Sequence, residues 1–96
     1  MAITSSEPLY DMTGFQRDLL VAINRLDKPH GLAIKDYLSE WYGEVRHGRM
    51  YPNLDTLVDM GMVQKGAKDR RTNEYTLTRR GERELAAHVA WMQNGE

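Results

Sequence analysis

The sequence predicts an α+β, mainly helical domain: three helices, a two-stranded β-hairpin and a last helix. Three observations predict it. Apolar residues recur at helical spacing in three segments before residue 61 and one after residue 78. Two short β-rich runs, Met62–Lys65 and Glu74–Thr78, flank a polar turn sequence. Capping residues, glycines and prolines fall where these segments should start and stop. Ninety-six residues hold one domain and no second one, with a stability margin thin enough that self-association would help.

Residues 1–12 read as a mobile start followed by a short segment carrying Leu9, Tyr10 and Met12 around Pro8. Thr13 with Gln16 is a capping-box pattern, so a helix should run from there to about Asp27. At about 100° per residue, Phe15, Leu19, Ala22, Ile23 and Leu26 share its core stripe, and Lys28-Pro29 stops it. A second helix begins after His30-Gly31 and runs to about Tyr42, with Ile34, Tyr37, Leu38 and Trp41 on one face. Gly43 suits its C-terminus. The third helix starts near Gly48 and ends at Gly61, and Pro52 is tolerated if it falls in or near the first turn. The stretch 66–73 (GAKDRRTN) is a hairpin loop, and Thr78 caps a last helix through about Met92. Three helices followed by a β-hairpin is the winged helix-turn-helix plan. The expected organisation is an N-terminal segment 1–12, a winged-helix unit 13–78 and a C-terminal dimerisation helix and tail 79–96.

Charge is informative by position rather than in total. The formal net charge is −1, but residues 62–83 hold seven basic and three acidic side chains, a local excess of the kind that docks phosphates. A solvated basic loop is the plain alternative. With no cysteine there is no disulfide, thiolate zinc site or thiol switch, and His30, His47 and His88 are not at ligand spacing. No nucleophile motif or phosphate-binding glycine loop occurs, which argues against an enzyme. No apolar run reaches the ~18 residues of a membrane span, and the start lacks the layout of a signal peptide. The expectation is a cytoplasmic protein.

Stepping about 100° per residue along the third helix places Met50, Leu54, Leu57 and Val58 on the buried side and Arg49, Asn53 and Thr56 on an outward face. Arg can fork onto guanine, Asn onto adenine, and Thr can meet a thymine methyl or a phosphate. Polar residues also face water on any amphipathic helix. Tyr51 lies at the margin, either packing its ring and offering its hydroxyl to a phosphate or serving as a core tyrosine. Lys68, Arg70 and Arg71 sit at the hairpin tip, where arginines can enter a narrow minor groove, and Asp69 would orient one of them. Lys65, Arg79 and Arg80, with the start of the last helix, are candidate phosphate clamps. On the last helix Leu85, Val89 and Met92 should cover the domain's own core, whereas Ala87 and Trp91 face nearly the opposite way. An indole on a second face fits a partner, and the expected contact is a symmetric homodimer through Leu9, Tyr10, Met12, Val21, Ala87 and Trp91. A tryptophan folded back on its own chain is the alternative.

The run HGRMYPNLDTLVDMGMV (47–63) followed by DRRTNEYTLTRRGERE (69–84) resembles the PadR family of winged-helix transcription regulators. The pattern rests on Tyr51-Pro52-x-Leu54-x-x-Leu57, Gly61, Tyr75-x-Leu77-Thr78 and Gly81. The opening TGFQRDLLVAINRLDKPHGLAIKDYL (13–38) is similar to the haloarchaeal branch, which includes regulators of the response to reactive oxygen species. The resemblance implies a dimeric, repressor-like DNA binder with Arg49, Tyr51 and Asn53 in the major groove and Arg70 and Arg71 on the wing. Larger family members add several C-terminal dimerisation helices where this sequence has one. Oxidant sensing could not run through a thiol here, leaving methionine oxidation or an upstream signal.

The leading expectation is a sequence-specific regulator bound as a dimer to double-stranded DNA at a pseudo-palindromic promoter site, with no cofactor and no small-molecule ligand indicated. Asp55 and Asp59 border the DNA face, where monovalent cations bridging carboxylates to phosphates would keep affinity from falling with salt. The alternative is a winged-helix protein–protein interaction module of the transcription machinery, which would not need Arg70 and Arg71 at the tip. A ligand-responsive repressor would need an apolar cavity near Trp91, Tyr10 or Trp41.

Overall fold

A computed structural model of the chain describes residues 12–94. The elements are α1 (Gly14–Arg25), α2 (Gly31–Tyr42), α3 (His47–Asp59), β1 (Val63–Ala67), β2 (Asn73–Leu77) and α4 (Arg79–Asn94), in the expected order. The Leu9 and Tyr10 assignments lie outside the described residues.

Helix α1 starts as its capping box predicts. The Gln16 amide donates to Thr13 Oγ1 at 3.1 Å, and the Thr13 amide donates to Gln16 Oε1 at 3.2 Å. It ends earlier than expected, at Arg25, and Lys28 at φ 47° helps turn the chain toward α2. Its stripe of Phe15, Leu19, Ala22 and Ile23 is buried, as is Leu20; Leu26, already extended, is only half-buried. Between α1 and α2 the chain joins the sheet: the Tyr75 amide donates to the Pro29 carbonyl at 2.9 Å, and His30 bridges Glu74 antiparallel. This third edge satisfies backbone groups that the turn alone would leave unpaired.

In α3, Pro52 lies in the second turn rather than the first, so it removes the amide that would have bonded the Gly48 carbonyl. Gly48 is exposed, and water can satisfy that carbonyl. Met50, Leu54 and Leu57 are fully buried, and Val58 is half-buried. Gly61 at φ 77° turns the chain from α3 into the hairpin. There β1 and β2 pair antiparallel from Val63↔Leu77 to Ala67↔Asn73. Val63 and Tyr75 turn inward, and the core spans all elements from Met12 to Leu85.

Three apolar expectations are corrected. Met12 is 5% exposed and fills the domain's own core instead of a dimer face. Trp41, expected on the core stripe of α2, is 64% exposed, because Ile34 and Leu38 complete that contact and the stripe runs out past them; Tyr37 is half-buried. Val89 and Met92 do not cover the core: only Leu85 and Gly81 of α4 are buried, and the helix runs on beyond the domain. Among the described residues, no helix is long and apolar enough to cross a membrane.

Candidate nucleic-acid interface

The outward face of α3 carries Arg49, Asn53 and Thr56 as expected, but the first two are tied to the start of α1. The Arg49 guanidinium carbon lies 4.0 Å from the Phe15 ring centroid and 5.3 Å from that of Tyr42. A cation over aromatic faces is held in place while its hydrogen-bonding edge stays available. Phe15 and Tyr42 meet edge to face at 5.4 Å, and the Tyr42 hydroxyl donates to Asp18 Oδ2 at 2.5 Å. Burial, together with that hydrogen bond to a carboxylate, raises the Tyr42 pKa above its ordinary value. Asn53 Oδ1 accepts from Gln16 Nε2 at 2.8 Å, and Asn53 Nδ2 donates to the Arg49 carbonyl at 2.7 Å. Thr56 Oγ1 donates back to the Pro52 carbonyl at 3.1 Å.

Tyr51 is half-buried. Its ring packs against the core and lies 5.3 Å from His47, and its hydroxyl crosses the N-terminus of α2 at Gly31. Glycine leaves the hydroxyl room, since a Cβ at position 31 would lie 2.1 Å from the hydroxyl oxygen and push that side-chain end aside. A cleft of about 190 Å³ holds Tyr51 and Arg71 together with His30, Gly31 and Thr72. The wing is thus set against the N-terminal half of α3.

At the wing tip Lys68, Arg70 and Arg71 are exposed. Asp69 does not orient an arginine side chain as expected. Its Oδ1 accepts the Arg71 and Thr72 amides, each at 2.9 Å, and closes the turn. The Arg71 amide, with that of Thr72, holds the Asp69 carboxyl below its ordinary pKa. Lys65 Nζ lies 3.6 Å from Asp55 Oδ1, so this cation is tied to α3 and one carboxylate assigned to cation bridging already has a partner. Arg80 Nη1 reaches the Met60 carbonyl at 3.5 Å, beside the end of α3, while Arg79 is exposed at the first position of α4. The amide of Gly81 is capped by Thr78 Oγ1 at 3.0 Å, leaving less of that helix start for a phosphate than expected.

Of the remaining residues expected at a dimer contact, Ala87 and Trp91 are exposed and Val21 is half-buried. Trp91 is 47% exposed and stacks on His88 with ring centroids 5.6 Å apart. Val21 lines a groove of about 480 Å³ between α1 and α4, walled by Leu85, Ala86, Val89 and Ala90. Sequence reasoning missed Gln16 and Phe15 as partners of the α3 strip. A half-signal existed: both sit at the first turn of α1, but nothing local places that turn against α3.

Among the described residues, no group of three or more histidine, cysteine or acidic side chains could hold a metal. Comparison with curated proteins yields no match. The solved structure of Halobacterium salinarum RosR grown from NaBr is 45% identical, with a TM-score of 0.84, over 88% of this chain and 77% of that one. The RosR–S1 complex structure superimposes at 0.85, also at 45% identity, over 90% and 77%. The likeness to the haloarchaeal branch is thus a likeness to the RosR type, and it extends over most of the chain. Bacillus subtilis PadR in complex with operator DNA is 25% identical, with a TM-score of 0.67, over 80% of this chain and 48% of that one. The profile of the transcriptional regulator PadR-like family matches residues 19–87, and with these structural likenesses it shows that the chain belongs to the PadR-like family of transcriptional regulators.

Proposed function

We propose that the protein is a sequence-specific binder of double-stranded DNA that acts as a homodimer and represses transcription by occupying promoter sites. The observation that carries this reading is the flanking of one α3 strip, exposed Arg49 and Thr56 with half-buried Asn53 between them, by a wing tip of three exposed cations. A strip that reads base edges and a cationic loop beside it are the two parts a winged helix lays along a major groove and its neighbouring minor groove. The operator-bound state of Bacillus subtilis PadR supports the reading. Residues 13–78 form the DNA-binding unit in this proposal and 79–96 the dimerisation element. The exposed Val89, Trp91 and Met92 on α4 support self-association, since a helix that overhangs its own core has apolar surface to cover. Two half-sites would lie about 34–36 Å apart on the duplex. With no cysteine and six methionines, any response to oxidants acts through thioether oxidation or an upstream signal.

The test is fluorescence anisotropy on a pool of randomised duplexes, with Arg70→Ala/Arg71→Ala compared with the wild type. Losing two phosphate or minor-groove contacts per wing should lower affinity and flatten the dependence of log K on log salt by about 0.9 per contact. Unchanged binding by the double variant would instead favour a winged helix that contacts protein. A wild type with no retention at any ionic strength would remove the DNA reading.

A further inference from the structure

Resting on the DNA-binding reading above, we infer that Gln16 is a specificity-determining positioning residue: it sets which end of the Asn53 amide faces the base edges. Three hydrogen bonds run in one direction through two side-chain amides. The Thr13 backbone N–H donates to Gln16 Oε1 at 3.2 Å, Gln16 Nε2 donates to Asn53 Oδ1 at 2.8 Å, and Asn53 Nδ2 donates to the Arg49 backbone carbonyl at 2.7 Å. The row begins at a group that can only donate and ends at one that can only accept. Each amide between them has one orientation that fits. Rotating Asn53 by half a turn would set its oxygen against the Arg49 carbonyl and its NH2 against that of Gln16, replacing two hydrogen bonds by two repulsions.

Shape alone would not make this choice, because the oxygen and nitrogen of an amide are nearly the same size. Orientation nevertheless decides what the amide reads. A bidentate contact with adenine needs the oxygen on the amino group and the N–H on the ring nitrogen. Each end of Asn53 keeps one further hydrogen-bonding position after its internal bonds are made. Asn53 thus meets a base edge with its polarity already set, so the matching edge meets no cost of reorientation.

The residue type at position 16 carries the same message. A capping box is satisfied by Glu as well as Gln, and Glu would add a favourable negative charge near the N-terminus of α1. What Glu lacks is an N–H to give Asn53. Glutamine here forgoes a charge that would help the helix and supplies the one donor that fixes Asn53. Phe15, its neighbour, holds Arg49 at 4.0 Å, so one turn of α1 braces both base-reading side chains.

The experiment selects preferred duplexes for the wild type from the randomised pool. It then measures affinity ratios between the preferred duplex and single-base-pair variants. Asn53→Ala locates the base pair that Asn53 reads, as the position whose substitution penalty disappears. At that base pair Gln16→Glu, which keeps the cap but not the donor, should lower the ratio by about tenfold. Gln16→Met, uncharged and without either bond, should lower it similarly. Thr13→Ala removes the cap but not the Gln16–Asn53 bond; it should lower thermal stability and leave the ratio within about twofold. A uniform loss of affinity across all duplexes in Gln16→Glu, with the ratio intact, would show a charge effect only and overturn the proposal, as would an intact ratio in Gln16→Met. If Asn53→Ala leaves every penalty in place, Asn53 reads no base and the proposal falls, while wild-type selectivity still upholds the broader DNA reading. A wild type without sequence preference would overturn both.

Discussion

Gly81→Ala tests how the last helix is seated on the root of the wing. Gly81 lies in the first turn of α4, where alanine is ordinarily the better helix former by about 1 kcal/mol. Here a Cβ would sit 2.2 Å from the Met62 carbonyl oxygen and 3.1 Å from its carbon, so the two backbones must part by more than an ångström to reach ordinary contact. Met62 cannot retreat. Its side chain is fully buried, its amide donates to the Leu57 carbonyl at 3.0 Å, and its carbonyl accepts the Thr78 amide at 3.0 Å. The helix must therefore lift. Lifting breaks the Gly81 amide bond to Thr78 Oγ1, a cap worth about 1 kcal/mol, and opens the packing of buried Leu85, costing about 1–2 kcal/mol more. Set against the propensity gain and allowing for residual strain, the net loss is about 2 kcal/mol. At 4–8 °C per kcal/mol for a domain of this size, the midpoint should fall by roughly 8–16 °C. Thermal unfolding followed by circular dichroism at matched protein concentration measures it, since self-association would otherwise move the midpoint. An unchanged or raised midpoint, as propensity alone predicts, would refute the reasoning.

Gly31→Ala should push the Tyr51 hydroxyl from its place over α2, with little change in stability because that side-chain end can swing. DNA affinity should fall about fivefold, the worth of one lost hydrogen bond, and equal affinity in anisotropy would show that Tyr51 makes no contact there. At the wing tip, the folded pKa of Asp69 is lowered, so its turn contributes stability that is present above the unfolded value and lost as pH falls through the folded one. The Arg71 and Thr72 amide shifts should accordingly titrate in NMR with a midpoint below 3.8, and a midpoint at or above that value contradicts the turn. Trp91→Ala should raise the concentration at which the dimer dissociates more than tenfold in sedimentation velocity, as for an interface hot spot; an unchanged midpoint removes Trp91 from the interface.

Much of this architecture was legible because its signals are local. The capping box of Thr13 and Gln16 acts within a few residues and appears as expected. The apolar stripe of α1 does so up to Ile23, with Leu26 beyond the helix end, and the expected loop shortens to 68–72 because Gly66, Ala67 and Asn73 pair in the sheet. The polar strip of α3 and the cationic wing tip were legible for the same reason: periodicity and turn chemistry determine which side chains point outward. Family membership was legible too, since the Tyr51-to-Gly81 pattern carries it.

What the tertiary structure alone decided concerns contacts between distant segments. The helical period marks Trp41, Val89 and Met92 as apolar positions, but how far the core extends depends on the lengths of the elements packed against them. Pro29 and His30 look like a linker until Tyr75 and Glu74 lie alongside. Lys65 looks like a phosphate clamp until Asp55 is beside it. Gln16 and Asn53, 37 positions apart, have complementary amide ends that periodicity cannot pair. Local sequence determines direction, the face on which a side chain emerges; only the packing of elements against one another determines distance, and hydrogen bonds and burial depend on distance.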